Sequence, residues 1–88
     1  MKIRFFSPFD KMIGAGEVDL DPGRPVAVKE VLRLLSGKFP SFQPYVKKEG
    51  DEVQNFFAVL VRGDEILKLD DPVGGRDVIK VLPPISGG

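Results

Sequence analysis

The 88-residue chain contains no cysteine, no histidine and no tryptophan. Without cysteine there is neither a disulfide nor a thiolate nucleophile. Without cysteine and histidine the usual zinc sites and the imidazole general base are excluded as well. Chemistry performed by this chain alone would fall to carboxylates, lysines, hydroxyls or its one tyrosine, Tyr45. An excess of one charge is also missing, since 13 basic residues balance 13 acidic ones. With no net field to neutralise phosphates, nucleic acid is not an expected partner. No apolar run approaches the length of a bilayer span, so no membrane is expected either. The start, Met1 to Phe6, meets Ser7-Pro8 and Asp10 too soon to form a signal-peptide core. The expectation is a cytoplasmic protein that begins directly in its fold.

The length suits one domain and is too short for two. Lys2-Ile3-Arg4-Phe5 alternates polar and apolar, as a half-buried strand does, and Ser7-Pro8 ends it. After a loop around Phe9 to Ile13, alternation returns in Glu17-Val18-Asp19-Leu20, which predicts a hairpin partner for the first strand. Asp21-Pro22-Gly23 stops it. The period then changes: Val28, Val31, Leu32, Leu35 and Phe39 define one apolar helix face, with Lys29, Glu30, Arg33 and Ser36 on the other. Gly37 is the expected C-cap, with Pro40 closing the helix. Pro40 to Asn55 reads as a long connection holding at most a short helical turn.

Phe56 to Val61 is almost wholly apolar, the pattern of a strand buried on both faces at the centre of a sheet. Arg62-Gly63-Asp64-Glu65 turns into a short strand at Ile66 to Leu69, turns follow around Val73, and Val78 to Leu82 is the last strand. The predicted class is α+β: a mixed sheet of four to five strands with one main helix on one face. One helix covers one face, so side chains such as Phe5 or Phe6, Phe56 and Leu60 either stay partly exposed as a protein contact or lie beneath the long loop. The expected division is a body at 1–82 and an extended tail at 83–88.

That tail, Pro83-Pro84-Ile85-Ser86-Gly87-Gly88, draws the functional interest. Two prolines cannot continue a sheet ladder and hold the chain near polyproline geometry, so it leaves the body extended. Six residues at about 3.1 Å each reach on the order of 18 Å. Gly87 and Gly88 carry no side chain to obstruct a narrow channel. A terminal Gly-Gly alone would be ordinary fraying. A strand, a stiff proline exit and then the small residues is the order that presenting a carboxylate requires. Asp70 with Asp71, and Asp51 with Glu52, read as solvated turn residues rather than acid–base pairs.

With Ile3-Arg4-Phe5-Phe6 at the start, Pro72-Val73 through Gly75-Arg76-Asp77-Val78 before the last strand, and the Pro-Pro-x-x-Gly-Gly end, the chain resembles the MoaD/ThiS-type sulfur carriers. Among them it is most similar to the small subunit of molybdopterin synthase, because thiamine-branch tails generally lack the double proline. It departs from that pattern in Arg76, where the family commonly has an acidic turn, and in the Ser7 to Ile13 loop.

The resemblance implies the ubiquitin-like β-grasp fold and a co-substrate rather than an enzyme. It implies that an E1-like adenylating enzyme uses ATP to form an acyl-adenylate on Gly88, and that sulfur from a persulfide donor then displaces AMP to leave a thiocarboxylate. The large subunit of molybdopterin synthase would receive that sulfur for a pterin precursor. Gly88 would carry the chemistry and Gly87 would permit threading, while Pro83, Pro84, Ile85 and Ser86 contact the partner. No metal or bound cofactor is implied for the chain itself. The rival outcomes are a protein modifier, in which a target lysine attacks the activated Gly88, and a plain β-grasp interaction module with an inert tail.

Overall fold

The computed structural model describes residues 1–84. Its main sheet has five strands in the order β2-β1-β9-β6-β7: Glu17–Asp19, Lys2–Phe5, Val78–Leu82, Val59–Arg62 and Glu65–Ile66. β1 and β9 run parallel, and every other neighbour in that sheet is antiparallel. The long helix α2 (Val28–Lys38) packs on one face. Val28, Val31, Leu32 and Leu35 are fully buried there among Ile3, Phe5, Leu60, Ile79 and Val81. This is the ubiquitin-like β-grasp arrangement, and the mixed sheet and single covering helix agree with the expectation from sequence.

No side chain caps the start of α2. Its first free N–H groups are met instead by the 69–71 loop, with the Val28 amide donating to the Asp71 carbonyl (3.0 Å) and the Lys29 amide to that of Leu69 (2.9 Å). β3 (Val26–Ala27) brings that loop close by pairing with β8 (Pro72–Val73). Val73, expected in a turn, is thus the buried end of a two-residue strand.

Several local expectations are corrected. Phe9 to Ile13 is not a loop but a one-turn helix, α1, anchored by the fully buried Phe9 and ended by Gly14 at φ 82°. Five residues are too few for a helical period to register. Gly37 lies inside α2, and the cap is Phe39, whose extended conformation is what a following proline favours. Ser36 faces inward and is fully buried, its hydroxyl donating to the Arg33 carbonyl.

The long connection is more structured than expected. A 3-10 helix spans Pro40–Tyr45, then β4 (Val46–Glu49) and β5 (Glu52–Phe56) form a separate hairpin, turned at Gly50 (φ 64°) and bulged between Lys47 and Lys48. Only Val46 and Val53 of that ribbon are buried, so the apolar alternation that marks a strand is too sparse to see. The hairpin and the 3-10 helix pack against α2.

Phe56 to Val61 is accordingly not one central strand. β5 ends at Phe56, the chain bends at Phe57 and Ala58, and β6 begins at Val59. The centre of the sheet belongs to β9, between β1 and β6. β7 stops at Ile66, and Leu67 turns inward to the core.

Candidate functional site

The root of the tail is the end of the middle strand. β9 is hydrogen-bonded on both edges, to β1 in register from Lys2↔Val78 to Phe5↔Val81 and to β6 from Val61↔Lys80 to Val59↔Leu82. One further bond, Phe6 amide to Val81 carbonyl at 3.0 Å, closes the last rung. Pro83 then has no N–H to offer, and the ladder ends. The end of β9 is thus held by β1 through Val81 and by β6 through Leu82.

Beneath that end lies an aromatic cluster. Phe42 is packed edge-on against Phe5 and Phe9 and stacked on Tyr45, while Phe5 also meets Phe39 and Phe9 meets Tyr45. These rings come from β1, α1, the 3-10 helix and the α2 cap, so four segments brace the end of the sheet from which the tail departs.

Side chains alternate across a pleated sheet, so the face away from α2 can be read from the register. Across its middle run Glu17, Arg4, Lys80, Val61 and Ile66, with Lys2, Asp19 and Val78 toward one end and Phe6, Leu82 and Val59 toward the tail. Phe5 and Leu60, named from sequence as candidates for an exposed patch, are buried on the opposite side because they have the other parity. Among the described residues the exposed large apolar side chains are Phe6, Phe57, Ile66 and Val78. Phe57, at 52% exposure, sits at the bend just before β6 enters the rung of Leu82. The hairpin and the 3-10 helix lie on the α2 side, which leaves this face open among the described residues.

Charges on the open face are unequally partnered. Glu17 lies 3.6 Å from Arg4 and 3.7 Å from Lys2, whereas Lys80 has no ion pair among the described residues. At the far end of β9, Arg62 is a hub. Its guanidinium donates to Asp77 Oδ2 (2.9 Å), to the Pro72 carbonyl (2.8 Å) and to Glu65 Oε1 (2.8 Å), and the Gly74 amide also donates to Asp77 Oδ2 (3.0 Å). The Gly74 amide, joined by Arg62, holds the Asp77 carboxyl below its ordinary range, while Glu65 and then Asp77 raise Arg62. This network ties the β6–β7 turn to the loop that starts β9. Sequence reasoning passed over both residues, although an aspartate three residues after a glycine in a Gly-Gly-Arg-Asp turn is the available cue.

Of the residues singled out from sequence, Pro83 is half-buried at the root and Pro84 is exposed beyond it. Ile85, Ser86, Gly87 and Gly88 lie outside the described residues. Asp51, Glu52 and Asp70 are exposed and Asp71 is half-buried. Asp51 and Glu52 border a shallow depression with Lys29, Glu30, Glu49 and Val53 on the α2 side. Among the described residues no three acidic side chains cluster so as to hold a metal ion. None of their helices is long and apolar enough to cross a membrane.

Three solved structures illustrate the similarity of the whole fold. Small archaeal modifier protein 1 from Methanosarcina acetivorans is 24% identical, with a TM-score of 0.76 over 99% of this chain and 94% of that one. Its namesake from Haloferax volcanii is 24% identical, with a TM-score of 0.71 over 99% and 97%. A Pyrococcus furiosus protein assigned as molybdopterin converting factor subunit 1 is 19% identical, with a TM-score of 0.71 over 96% and 95%. No curated protein sequence matches. The model of the ThiS family matches residues 3–88, from the first strand through the terminal glycine. The chain therefore belongs to the ThiS family.

Proposed function

We propose that the protein is a sulfur carrier whose working group is the Gly88 carboxylate. The observation that carries this reading is the family match running through Gly88, in a chain whose middle strand ends directly at Pro83-Pro84. A carboxylate is a poor acyl donor, so an E1-like enzyme first joins it to AMP from ATP, releasing pyrophosphate. The outer sulfur of a persulfide on a partner attacks the acyl carbon and AMP leaves, giving an acyl disulfide; a second thiol of the partner then cleaves its S–S bond, which forms a disulfide on the partner and releases the thiocarboxylate. A chain with no thiol has no other obvious place to hold that sulfur.

The braced root supports this use. A tail of six residues gains accuracy in finding a deep active site if its first residue does not move, and β9 is paired to β1 through Val81 and to β6 through Leu82. Phe6, Leu82, Val59 and Phe57 surround that root with apolar surface, part of it exposed, which a partner covers as it takes up the tail. ATP binds to the activating partner and not to this chain. The receiving partner is the large subunit of molybdopterin synthase, for which the double proline and the likeness to the Pyrococcus furiosus protein are the support. The setting is the cytoplasm, where such enzymes and ATP meet.

A second reading is favoured by the likeness to two small archaeal modifier proteins: the same acyl-adenylate transfers Gly88 to a lysine amine of a target, forming an isopeptide bond. Intact-mass analysis after incubation with ATP, an E1-like enzyme and a sulfur donor distinguishes these fates. Replacement of one oxygen by sulfur supports the carrier, and conjugation to target proteins supports the modifier. An unchanged mass with an enzyme active on its own substrate refutes both.

A further inference from the structure

We propose that Lys80 is a specificity contact of the open sheet face, and that the E1-like adenylating enzyme meets it with a carboxylate set in an apolar surface. The inference extends the carrier reading and rests on it.

Lys80 is exposed in the middle strand, level with Arg4 on β1 and Val61 on β6. Arg4 has Glu17 at 3.6 Å, but Glu17 is shared with Lys2, and Lys80 has no ion pair among the described residues. Two cations thus stand side by side with one nearby anion, bordered by Val61, Ile66, Val78 and Leu82. An apolar partner covering this patch would strip water from Lys80 without compensation, so association is favourable only if a carboxylate arrives opposite it. The same pair disfavours a second copy of this chain as the occupant. A two-fold stacking of the face whose axis passes close to Lys80 sets Lys80 against Lys80 or Arg4.

Lys80 and the tail are parts of one strand, which ties the two contacts to one partner. Gly88 lies eight positions beyond Lys80, and a fully extended chain of that length spans at most about 29 Å. The complementary carboxylate therefore lies within that order of distance from the centre that receives Gly88.

The test uses the full chain with the E1-like adenylating enzyme encoded in the same genome, and follows ATP–pyrophosphate exchange as the carrier concentration is varied. Lys80→Glu is expected to raise the carrier KM by about tenfold with kcat little changed. Lys80→Ala is expected to raise KM less and to flatten its dependence on salt. Thermal unfolding of both variants should match the wild type, and Lys80→Arg should restore KM. As a separate arm, one residue added after Gly88 should abolish exchange. If that addition abolishes exchange while Lys80→Glu and Lys80→Ala leave KM and its salt dependence unchanged, the Lys80 proposal is overturned and the carboxylate stands. Exchange that survives the addition, or fails with the wild type, overturns the carrier reading and this proposal with it. A wild-type dimer in sedimentation whose affinity changes in Lys80→Glu would place a second copy on the face and also overturn it.

Discussion

Replacing Asp77 by asparagine removes one charge and changes almost no volume, which isolates the electrostatic part of the network that starts β9. Asp77 Oδ2 accepts from the Gly74 amide at 3.0 Å and from Arg62 at 2.9 Å. Hydrogen bonds to a charged group contribute about 1.5–3 kcal/mol and neutral ones about 0.5–1.5; the Gly74 bond becomes neutral while the Arg62 bond keeps only the guanidinium charge and loses its ion-pair attraction, so together they forfeit about 2 kcal/mol. The side chain is 28% exposed, and solvent screening reduces this to about 1 kcal/mol. In a domain of this size that lowers Tm by roughly 4–8 °C.

The pH dependence gives a sharper check. The Gly74 amide, with Arg62, lowers the folded-state pKa of Asp77 below its unfolded value. Its contribution is therefore fully present above the unfolded value, near pH 4, and is lost as pH falls through the lower folded value. Thermal unfolding followed by far-UV circular dichroism should show the wild type more stable than Asp77→Asn at pH 7 and pH 5. The gap should narrow below pH 4. Other carboxylates titrate in the same range, so the difference between the two proteins is the quantity to follow. A variant that melts with the wild type at pH 7, or a gap that persists unchanged into acid, would refute the reasoning.

Truncating Phe42 to alanine removes a ring that is 1% exposed and in contact with three others. It should cost about 3–5 kcal/mol in urea unfolding, a large share of the total for a chain this size, while Phe42→Leu should cost less than half as much. Phe57→Ser, at a side chain that is already half exposed, should leave Tm nearly unchanged and raise the carrier KM for adenylation several-fold, a split visible in pyrophosphate-exchange kinetics. Gly63→Ala places a Cβ at φ 60° in the β6–β7 turn and should lower stability by about 1 kcal/mol, measured by the same urea titration.

Much of this molecule was legible in one dimension where its signals are local and repeated. Alternation in Lys2 to Phe5 and in Glu17 to Asp19 marks strands because one face of the first is buried and Val18 of the second is half-buried against the core, and the spacing of Val28, Val31, Leu32 and Leu35 marks a helix because that face is buried. Pro83 removes the next N–H, so the end of the last strand at Leu82 could be placed to the residue. The missed elements carry their stabilising contacts elsewhere in the chain. α1 exists because Phe9 finds Phe42 and Tyr45, and the β4–β5 hairpin because Val46 and Val53 find the core.

The absence of Cys and His, the order of strand, prolines and glycines, and the one amphipathic helix were properties of the sequence by itself, since each depends only on which residue types stand near one another. Three further features were decided by the tertiary structure. β9 and not Phe56 to Val61 became the middle strand, Arg62 was joined to Asp77, and Lys80 was set beside Arg4 on an open face. The reason is common to all three. Each depends on which distant strands become neighbours and in what register, and a shift of one residue would have turned Lys80 into the core and Ile79 out to solvent.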